Sequence, residues 1–515
     1  MSDDNRKQNN ILSASLVVFF LTFLSKILGF VRSILQASIY GVSAQTDAYN
    51  IAYGFESNIL YMFAVSISVT LIPFYFKNKN ESIEKAKQFA TKAITGLFIL
   101  GCLFSAFLVA GSSSIVKIIA PSYDGDILQQ TISYLQVLCL GFVFALVANL
   151  YTHVLNAERK YFISTVTLLI NSSVIIIFML IFNSAFGIWA LVLSVPVAHV
   201  FQCVFLYIIG NQYAKISFRY GLKDESFKSM MVQAIPVLLS QATIEINQMV
   251  DKALLTGLEV GTLTAVSYAA VLYNFVGTLV SAPIYSVVFT ELSDAGSIND
   301  YNKVADLCKI ACKLIAFICV PIIVTICFCA TEIVSIVFGH GEYTEMAINQ
   351  SAIALKMYSM CLLPGTLKAL LNRAFYAKND TKRPMAIGFI EVALNIALSI
   401  MLVRDYGIVG VVGATAIATL IATIMRIFVF ERKHICLFNK KDFSSFFKIS
   451  LSTYLAGTLG RVLSAYTMGN IYINLIAKMM LICAVFFCCL WILHEETFIM
   501  TTMQLVQKIS SRVHH

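Results

Sequence analysis

A chain of 515 residues that is 58% hydrophobic and 13% charged differs from a soluble globular protein, in which about 45–50% of residues are apolar and about 25% are charged. Because a spanning helix needs about 20 apolar residues, this composition indicates a polytopic membrane protein. The net charge of +9 comes from basic residues in short loops, so we expect no nucleic-acid partner.

Fourteen segments are apolar and long enough to cross a bilayer. They lie near residues 11–32, 48–76, 88–111, 130–155, 162–183, 187–209, 230–256, 264–290, 305–329, 346–374, 384–403, 408–430, 443–463 and 471–494. The second contains Glu56 and the seventh contains Gln241 and Glu245, so both belong inside a bundle against a polar cavity. The sequence therefore predicts an all-α polytopic membrane protein with about 14 transmembrane helices.

Positive charge alternates between the predicted loops. The loops on one side contain the lysines and arginines Lys77, Lys79, Lys85, Lys87, Arg159, Lys160, Lys215, Arg219, Lys223, Lys228, Lys378, Lys382, Arg383, Arg432, Lys433, Lys440 and Lys441. The loops on the other side contain little beyond Lys117 and Arg404. Because loops rich in lysine and arginine stay in the cytoplasm, this pattern predicts an even number of spans and places both termini in the cytoplasm.

The two halves of the chain repeat each other. SIVKIIAP, which begins at Ser114, resembles EIVSIVFG, which begins at Glu332, and AFGIW around Gly187 resembles DYGIV around Gly407. The offset stays between 218 and 220 residues, so two six-helix units have the same orientation, with the substrate path between them. The predicted parts are an N-lobe with helices 1–6 (1–210), a cytoplasmic linker (211–229), a C-lobe with helices 7–12 (230–431), and helices 13–14 with a cytoplasmic tail (432–515).

The first predicted span contains two cations, Lys26 and Arg32. A charged group at membrane depth costs at least about 2.5–3.5 kcal/mol on insertion scales, so it usually faces a water-filled cavity or a partner. The alternative is that these side chains extend to the membrane interface. A shift of 219 residues places Lys26 on Glu245 and Arg32 on Asp251, so two cations of one half correspond to two anions of the other.

SKILGFVRS followed by TDAYNIAY resembles the first-helix signature of the lipid II flippase family, within the multidrug/oligosaccharidyl-lipid/polysaccharide exporter superfamily. LNAERKYF (155–162), INQMVDKALLTGLEVGTLTAVSYA (246–269) and RAFYAKNDTKRP (373–384) agree with this resemblance. It implies fourteen helices in two six-helix lobes around a cationic cavity that opens alternately to each side. It also implies transport of an undecaprenyl-pyrophosphate-linked sugar, most simply lipid II of peptidoglycan, across the bacterial cytoplasmic membrane.

The resemblance also implies a head-group site. The family's first-helix arginine falls on Arg32, the preceding basic position on Lys26, and the aspartate that opens the second helix on Asp47. Arginine suits a phosphate because its guanidinium binds two oxygens at once. Two arginines that the family usually has are replaced by Leu60 and Val271. Lys356, Lys368 or Arg373 can supply part of this charge, or can lie at the membrane interface instead.

A cation site in the C-terminal half is a second expectation, since the family is described with a sodium site there. Asp251 matches it directly, Glu391 and Asn395 lie one helical turn apart, and Thr415 follows in the next span. Oxygen ligands suit a hard cation, so coupling to sodium at Asp251, or to protons, is expected without any other cofactor. The alternatives are an ion pair between Asp251 and Lys252, and a protonated Glu391 that is hydrogen-bonded within the bundle.

Other functions remain open. The alternative to lipid II, favoured by the departures from the family pattern, is another lipid-linked saccharide: an exopolysaccharide, capsule, O-antigen or teichoic-acid unit. A drug–cation antiporter and a non-transporting scaffold are further alternatives. A membrane transferase would need a catalytic carboxylate pair, a metal motif or a clustered histidine, so we expect no enzyme. The expected partners are the lipid-linked substrate, membrane lipid and enzymes of cell-wall or polysaccharide synthesis. The terminal His514 and His515 have no predicted role.

Overall fold

The computed structural model describes residues 2–217, 225–297, 301–378, 380–434, 440–463 and 471–493. Within these residues the secondary structure is helical, and fourteen helices follow one another. They are α1 (Ser2–Tyr40), α2 (Ala44–Glu81), α3 (Ile83–Ile119), α4 (Gly125–Ala157), α5 (Tyr161–Phe186), α6 (Ile188–Gly210), α7 (Glu225–Leu255), α8 (Thr262–Ser297), α9 (Tyr301–Phe338), α10 (Glu345–Met360), α11 (Leu362–Ala377), α12 (Lys382–His434), α13 (Lys440–Leu463) and α14 (Ile471–Ile492).

The helices confirm the predicted class, an all-α polytopic membrane protein. Eleven helices of the described residues are long and apolar enough to cross a membrane. One predicted boundary differs, because the tenth predicted span is broken at Cys361 into α10 and α11, each of 16 residues. The eleventh and twelfth predicted spans lie on either side of Gly407, whose non-helical backbone divides α12 into two helical parts.

The kink at Gly407 repeats a feature of the first half. Gly407 has φ 53° and ψ −124°, and Gly187, between α5 and α6, has φ 54° and ψ −133°. Residues with a side chain rarely adopt this positive-φ backbone conformation, so each position requires glycine. The two glycines were aligned by sequence at an offset of 220 residues, and they adopt nearly the same backbone geometry.

The chain divides into two compact units, Met1–Thr264 and Ala265–His515. In the first, α4 packs on α2, α3 and α6, α5 packs on α6 and α1, and α7 packs on α2 and α3. Its core contains Leu71 of α2, Ile94 of α3, Phe142 and Tyr151 of α4, and Met230 of α7. The predicted limits of the N-lobe and its linker stay a prediction, and residues 218–224 of that linker lie outside the described residues.

In the second unit, α9 packs against α10, α11, α13 and α14, and α12 packs against α10 and α11. One apolar cluster contains Cys308, Leu370, Phe375 and Phe430, and another contains Phe486 with residues of α9 and α13. The cysteine thus behaves as a small hydrophobic residue. His514 and His515, like the rest of 494–515, lie outside the described residues.

Candidate functional site

Helix α2 begins with a well-formed cap that fixes the position of its polar first turn. The Ser43 side chain accepts a hydrogen bond from the Thr46 backbone N–H at 3.3 Å, and the Thr46 hydroxyl oxygen accepts one from the Ser43 N–H at 2.8 Å. This reciprocal capping satisfies two N–H groups that a helix start otherwise leaves free. Asp47 follows within the same turn.

The buried Asp47 carboxylate caps the start of α8. It accepts hydrogen bonds from the Gly261 N–H (2.6 Å), the Thr264 N–H (2.8 Å) and the Thr264 hydroxyl (2.6 Å). Asn50, one turn later on α2, donates to the Thr264 hydroxyl oxygen at 3.0 Å. A carboxylate at a helix N-terminus is stabilised both by these donors and by the helix dipole. Asp47 therefore fastens α2 to the first turn of α8.

Arg32 of α1 contacts α2 six residues after Asp47. Its side chain is half-buried beside Tyr49 and Tyr53, and Tyr53 lies within hydrogen-bonding reach of the guanidinium. The two tyrosine rings stack with centroids 5.4 Å apart and an angle of 5° between their planes. In the described part of the chain, Arg32 and Asp47 have these separate partners and form no ion pair with each other. Lys26 is exposed.

Lys252 of α7 is a cation of this region that sequence reasoning did not assign to the head group. Its ammonium nitrogen lies directly on the backbone of Gly54: a Cβ added at Gly54 would overlap Nζ and lie 3.2 Å from Cε. Glycine at this position leaves room for the lysine tip against α2. On the same helix, the buried Glu245 interacts electrostatically with Lys252. The available signal was a lysine inside an apolar span, which was interpreted only as a partner for Asp251.

Arg32 and Lys252 therefore meet α2 at consecutive residues, Tyr53 and Gly54. One cation comes from α1 and the other from α7, and both lie within the first compact unit. A guanidinium offers paired donors to phosphate oxygens, and an ammonium acts as a point charge, so together they can bind a diphosphate. This turn of α2 is the candidate head-group site.

The second unit contains most of the predicted cation site. The Asn395 amide donates to the Thr415 hydroxyl oxygen at 2.8 Å, so these two residues are brought together. Glu391 is engaged differently: Lys368 lies 2.6 Å from its Oε1 and Arg426 lies 3.3 Å from its Oε2. The Thr419 hydroxyl adds a hydrogen bond to Oε1 at 3.3 Å.

These contacts change the earlier interpretations of Glu391 and Lys368. Glu391 is an ion-paired carboxylate, and Lys368, considered as a replacement for lost cavity charge, is its partner. Arg373 lies over the Tyr285 ring, with 4.0 Å from its guanidinium carbon to the ring centre. Asp251 is half-buried on α7, in the first unit. Among the described residues, no group of three or more His, Cys, Asp or Glu side chains is arranged to hold a metal ion.

The family model described as lipid II flippase MurJ matches residues 36–482, most of the chain. The chain belongs to the MurJ lipid II flippase family. The predicted membership is thereby confirmed. The probable lipid II flippase MurJ of Treponema pallidum is 23% identical over 431 residues, covering 81% of each chain. That of Thermotoga maritima is 24% identical over 452 residues, covering 87% of this chain and 90% of the relative.

Solved structures agree on the fold. A lipid II flippase MurJ in an inward closed conformation has a TM-score of 0.81 and 22% identity, covering 92% of this chain and 98% of that one. An inward-facing MATE family transporter of the MOP superfamily has a TM-score of 0.69 and 15% identity. Leu60, which the resemblance aligns with an arginine, packs against the apolar core of the first unit.

Proposed function

We propose that this chain flips lipid II across the bacterial cytoplasmic membrane by alternating access, with both termini in the cytoplasm. Membership in the MurJ family supports this function. The substrate is a lipid-linked saccharide whose pyrophosphate is drawn to cationic side chains. Enzymes that make or use lipid II in cell-wall synthesis are the proposed protein partners.

The observation that carries the proposal is that two cations contact one turn of α2, Arg32 at Tyr53 and Lys252 at Gly54. Arg32 binds one phosphate of the pyrophosphate through paired hydrogen bonds, and Lys252 contributes a second positive charge. Lys252 thereby takes over charge that the family pattern places at the positions of Leu60 and Val271. Lys26, on the same helix as Arg32, attracts the head group from the exposed end of the site.

Asp47 has a different part in this proposal. Its carboxylate fastens α2 to the start of α8, and it can pair with Arg32 only after leaving Gly261 and Thr264. An exchange between these two sets of partners avoids leaving a bare buried charge in either state. We therefore propose that Asp47 releases α8 and orients Arg32 during the transport cycle.

Transport is further proposed to be coupled to a cation, either sodium or a proton. Asn395 and Thr415, which are hydrogen-bonded to each other in the second unit, supply oxygen ligands of the kind that sodium takes. Glu391 can join them only in a state in which Lys368 and Arg426 release its carboxylate. Flipping that is indifferent to the removal of sodium would argue against the sodium site.

Rescue of a depleted bacterium tests the function. The bacterium's own lipid II flippase is depleted, this chain is expressed, and lipid II exposed on the outer face is measured together with growth. The wild-type chain should restore both. Arg32→Ala and Lys252→Ala should lower exposure at least about tenfold, since each loses about 1.5–3 kcal/mol of charge-assisted hydrogen bonding. Gly54→Ala should lower exposure less than Lys252→Ala, because the flexible lysine tip shifts away from the new methyl group but keeps its charge.

The controls separate charge from structure. Lys252→Arg keeps the charge and should retain more exposure than Lys252→Ala, and Lys117→Gln, at the exposed end of α3, should be neutral. Wild-type exposure with Lys252→Ala would remove Lys252 from the site. If the protein reaches the membrane and lipid II stays inside, the substrate is another lipid-linked saccharide, which the departures at Leu60 and Val271 favour.

A further inference from the structure

Glu56 of α2 is buried in the first unit without a hydrogen bond. Its side chain is 1% exposed, and neither carboxylate oxygen has a hydrogen-bond partner among the described residues. A bare carboxylate removed from water is very costly, so such a group takes up a proton or pairs with a cation. Glu56 is not part of the head-group site described above, and its burial needs another explanation.

The compensating group is His199 of α6. Its Nε2 lies 3.5 Å from the Glu56 Oε1, and neither ring nitrogen has a hydrogen bond among the described residues. From α4, the thiol of Cys139 also faces the carboxylate closely enough to interact electrostatically. A Cβ added at Gly141 of α4 would lie 2.8 Å from the Pro196 Cα and 3.4 Å from the His199 ring, so glycine lets α4 approach α6 closely beside the pair. Helix α4 therefore covers the pair that α2 and α6 form.

The two side chains are balanced by a single proton. With one proton between them, they are either a neutral carboxyl and a neutral imidazole, or a carboxylate and an imidazolium. Without that proton the carboxylate is bare, and with a second proton the imidazolium has no counter-charge. Histidine is the side chain that most readily exchanges a proton near neutral pH.

We propose that Glu56 and His199 form a proton-binding site that drives the transport cycle. The proton comes from the aqueous phase, forms an O–H or N–H bond at the pair, and returns to the aqueous phase when the site opens again. No other bond forms or breaks. This inference rests on the proposed flippase function and assigns its coupling ion to a place in the first unit.

The position of Glu56 on α2 explains how the proton reaches the substrate. Tyr53 contacts Arg32, Gly54 contacts Lys252, and Glu56 follows within the same turn of helix. A change in the Glu56–His199 contact therefore acts on the same turn of α2 as the head group. Proton binding at Glu56 and head-group binding at Arg32 and Lys252 are therefore coupled, because both depend on the position of this turn of α2.

Liposomes that contain the full chain and lipid II provide the test. Flipping is measured with a pH gradient in sodium-free buffer, and separately with a sodium gradient at equal pH. For the wild type we expect a pH gradient to accelerate flipping at least tenfold. In Glu56→Gln, which keeps the shape of a protonated carboxyl group, the acceleration should fall below twofold. The matched control is His153→Gln, a half-buried histidine of α4 that contacts the backbone of Ala64, and it should retain the acceleration.

A second measurement does not depend on transport. Infrared difference spectra between two pH values should contain a carboxyl C=O band from the wild type and from His153→Gln that is absent from Glu56→Gln. The double variant Glu56→Gln with His199→Gln gives a neutral amide pair of similar size. It tests the site again if Glu56→Gln alone does not reach the membrane.

The outcomes are distinguishable. An unchanged pH response in Glu56→Gln, or acceleration by sodium alone, would overturn the proton site and leave the flippase function intact. If the wild type moves no lipid II, the proposed substrate is wrong, and the infrared measurement alone then decides. A band that depends on Glu56 and changes with pH supports the site, and its absence refutes it.

Discussion

Replacing Asp47 by Asn tests how firmly α2 is fastened to α8. In the wild type, the Gly261 N–H donates to one carboxylate oxygen at 2.6 Å, and the Thr264 N–H donates to the other. Asparagine keeps an acceptor oxygen for Thr264, but its NH₂ group faces the Gly261 N–H, which then has no acceptor. A buried N–H without an acceptor costs about 1–3 kcal/mol. Removing a negative charge from a helix N-terminus costs about 0.3–2 kcal/mol more. We expect a total near 3 kcal/mol.

Hydrogen exchange measures this loss directly. The amides of Gly261 and Thr264 exchange when the start of α8 opens, so about 3 kcal/mol corresponds to roughly 100-fold faster exchange in peptides covering residues 256–266. The matched control is Asp124→Asn. Asp124 is the N-cap of α4 but its side chain makes no capping hydrogen bond, so exchange at α4 should change little. Equal protection of residues 261–264 in the wild type and Asp47→Asn would refute the reasoning.

Three further perturbations are expected to change stability. Glu391→Gln leaves two basic partners without their counter-charge, one of them 3% exposed, so the free energy of unfolding in detergent should fall by about 3–5 kcal/mol. Gly407→Ala forces a side chain into φ 53°, ψ −124°, which should cost about 1–3 kcal/mol in the same assay. Burial raises the pKa of Glu158, but hydrogen bonds from Lys79 and Tyr75 outweigh burial and hold the pKa below its ordinary value of 4.5. Its stabilising contribution is therefore present above that value and is lost as the pH falls through the lowered pKa, and Glu158→Gln should remove this loss in acid.

Matched variants control these measurements. Glu81→Gln breaks a solvent-exposed ion pair with Lys85 and should leave the free energy of unfolding nearly unchanged. A loss as large as that of Glu391→Gln would contradict the argument from burial. Gly413→Ala adds a methyl group in open space within α12 and should not destabilise, so an equal loss at Gly407 and Gly413 would exclude backbone strain as the cause. Identical acid unfolding of Glu158→Gln and the wild type would remove the proposed role of Glu158.

The positions of the helices were predictable from the sequence, because a long apolar run is a local property. The predicted spans match helices of the described residues to within a few residues at their ends, except that the tenth is divided at Cys361 between α10 and α11. The break at Cys361 was not predicted, since it depends on backbone geometry at one residue. The paired glycines, Gly187 and Gly407, were aligned correctly by sequence, and their shared conformation explains why glycine is needed at both positions.

The sequence by itself determined the membrane class and the family, and it identified Arg32, Asp47 and Glu391 as charges that need partners. It did not determine those partners. Asp47 binds the start of α8, Glu391 is held by Lys368 and Arg426, and these contacts join residues far apart along the chain. Lys252 and the Glu56–His199 pair also became visible only when α7 and α6 were placed against α2. The length of an apolar segment is a property of consecutive residues, whereas the partner of a buried charge depends on which helices pack together.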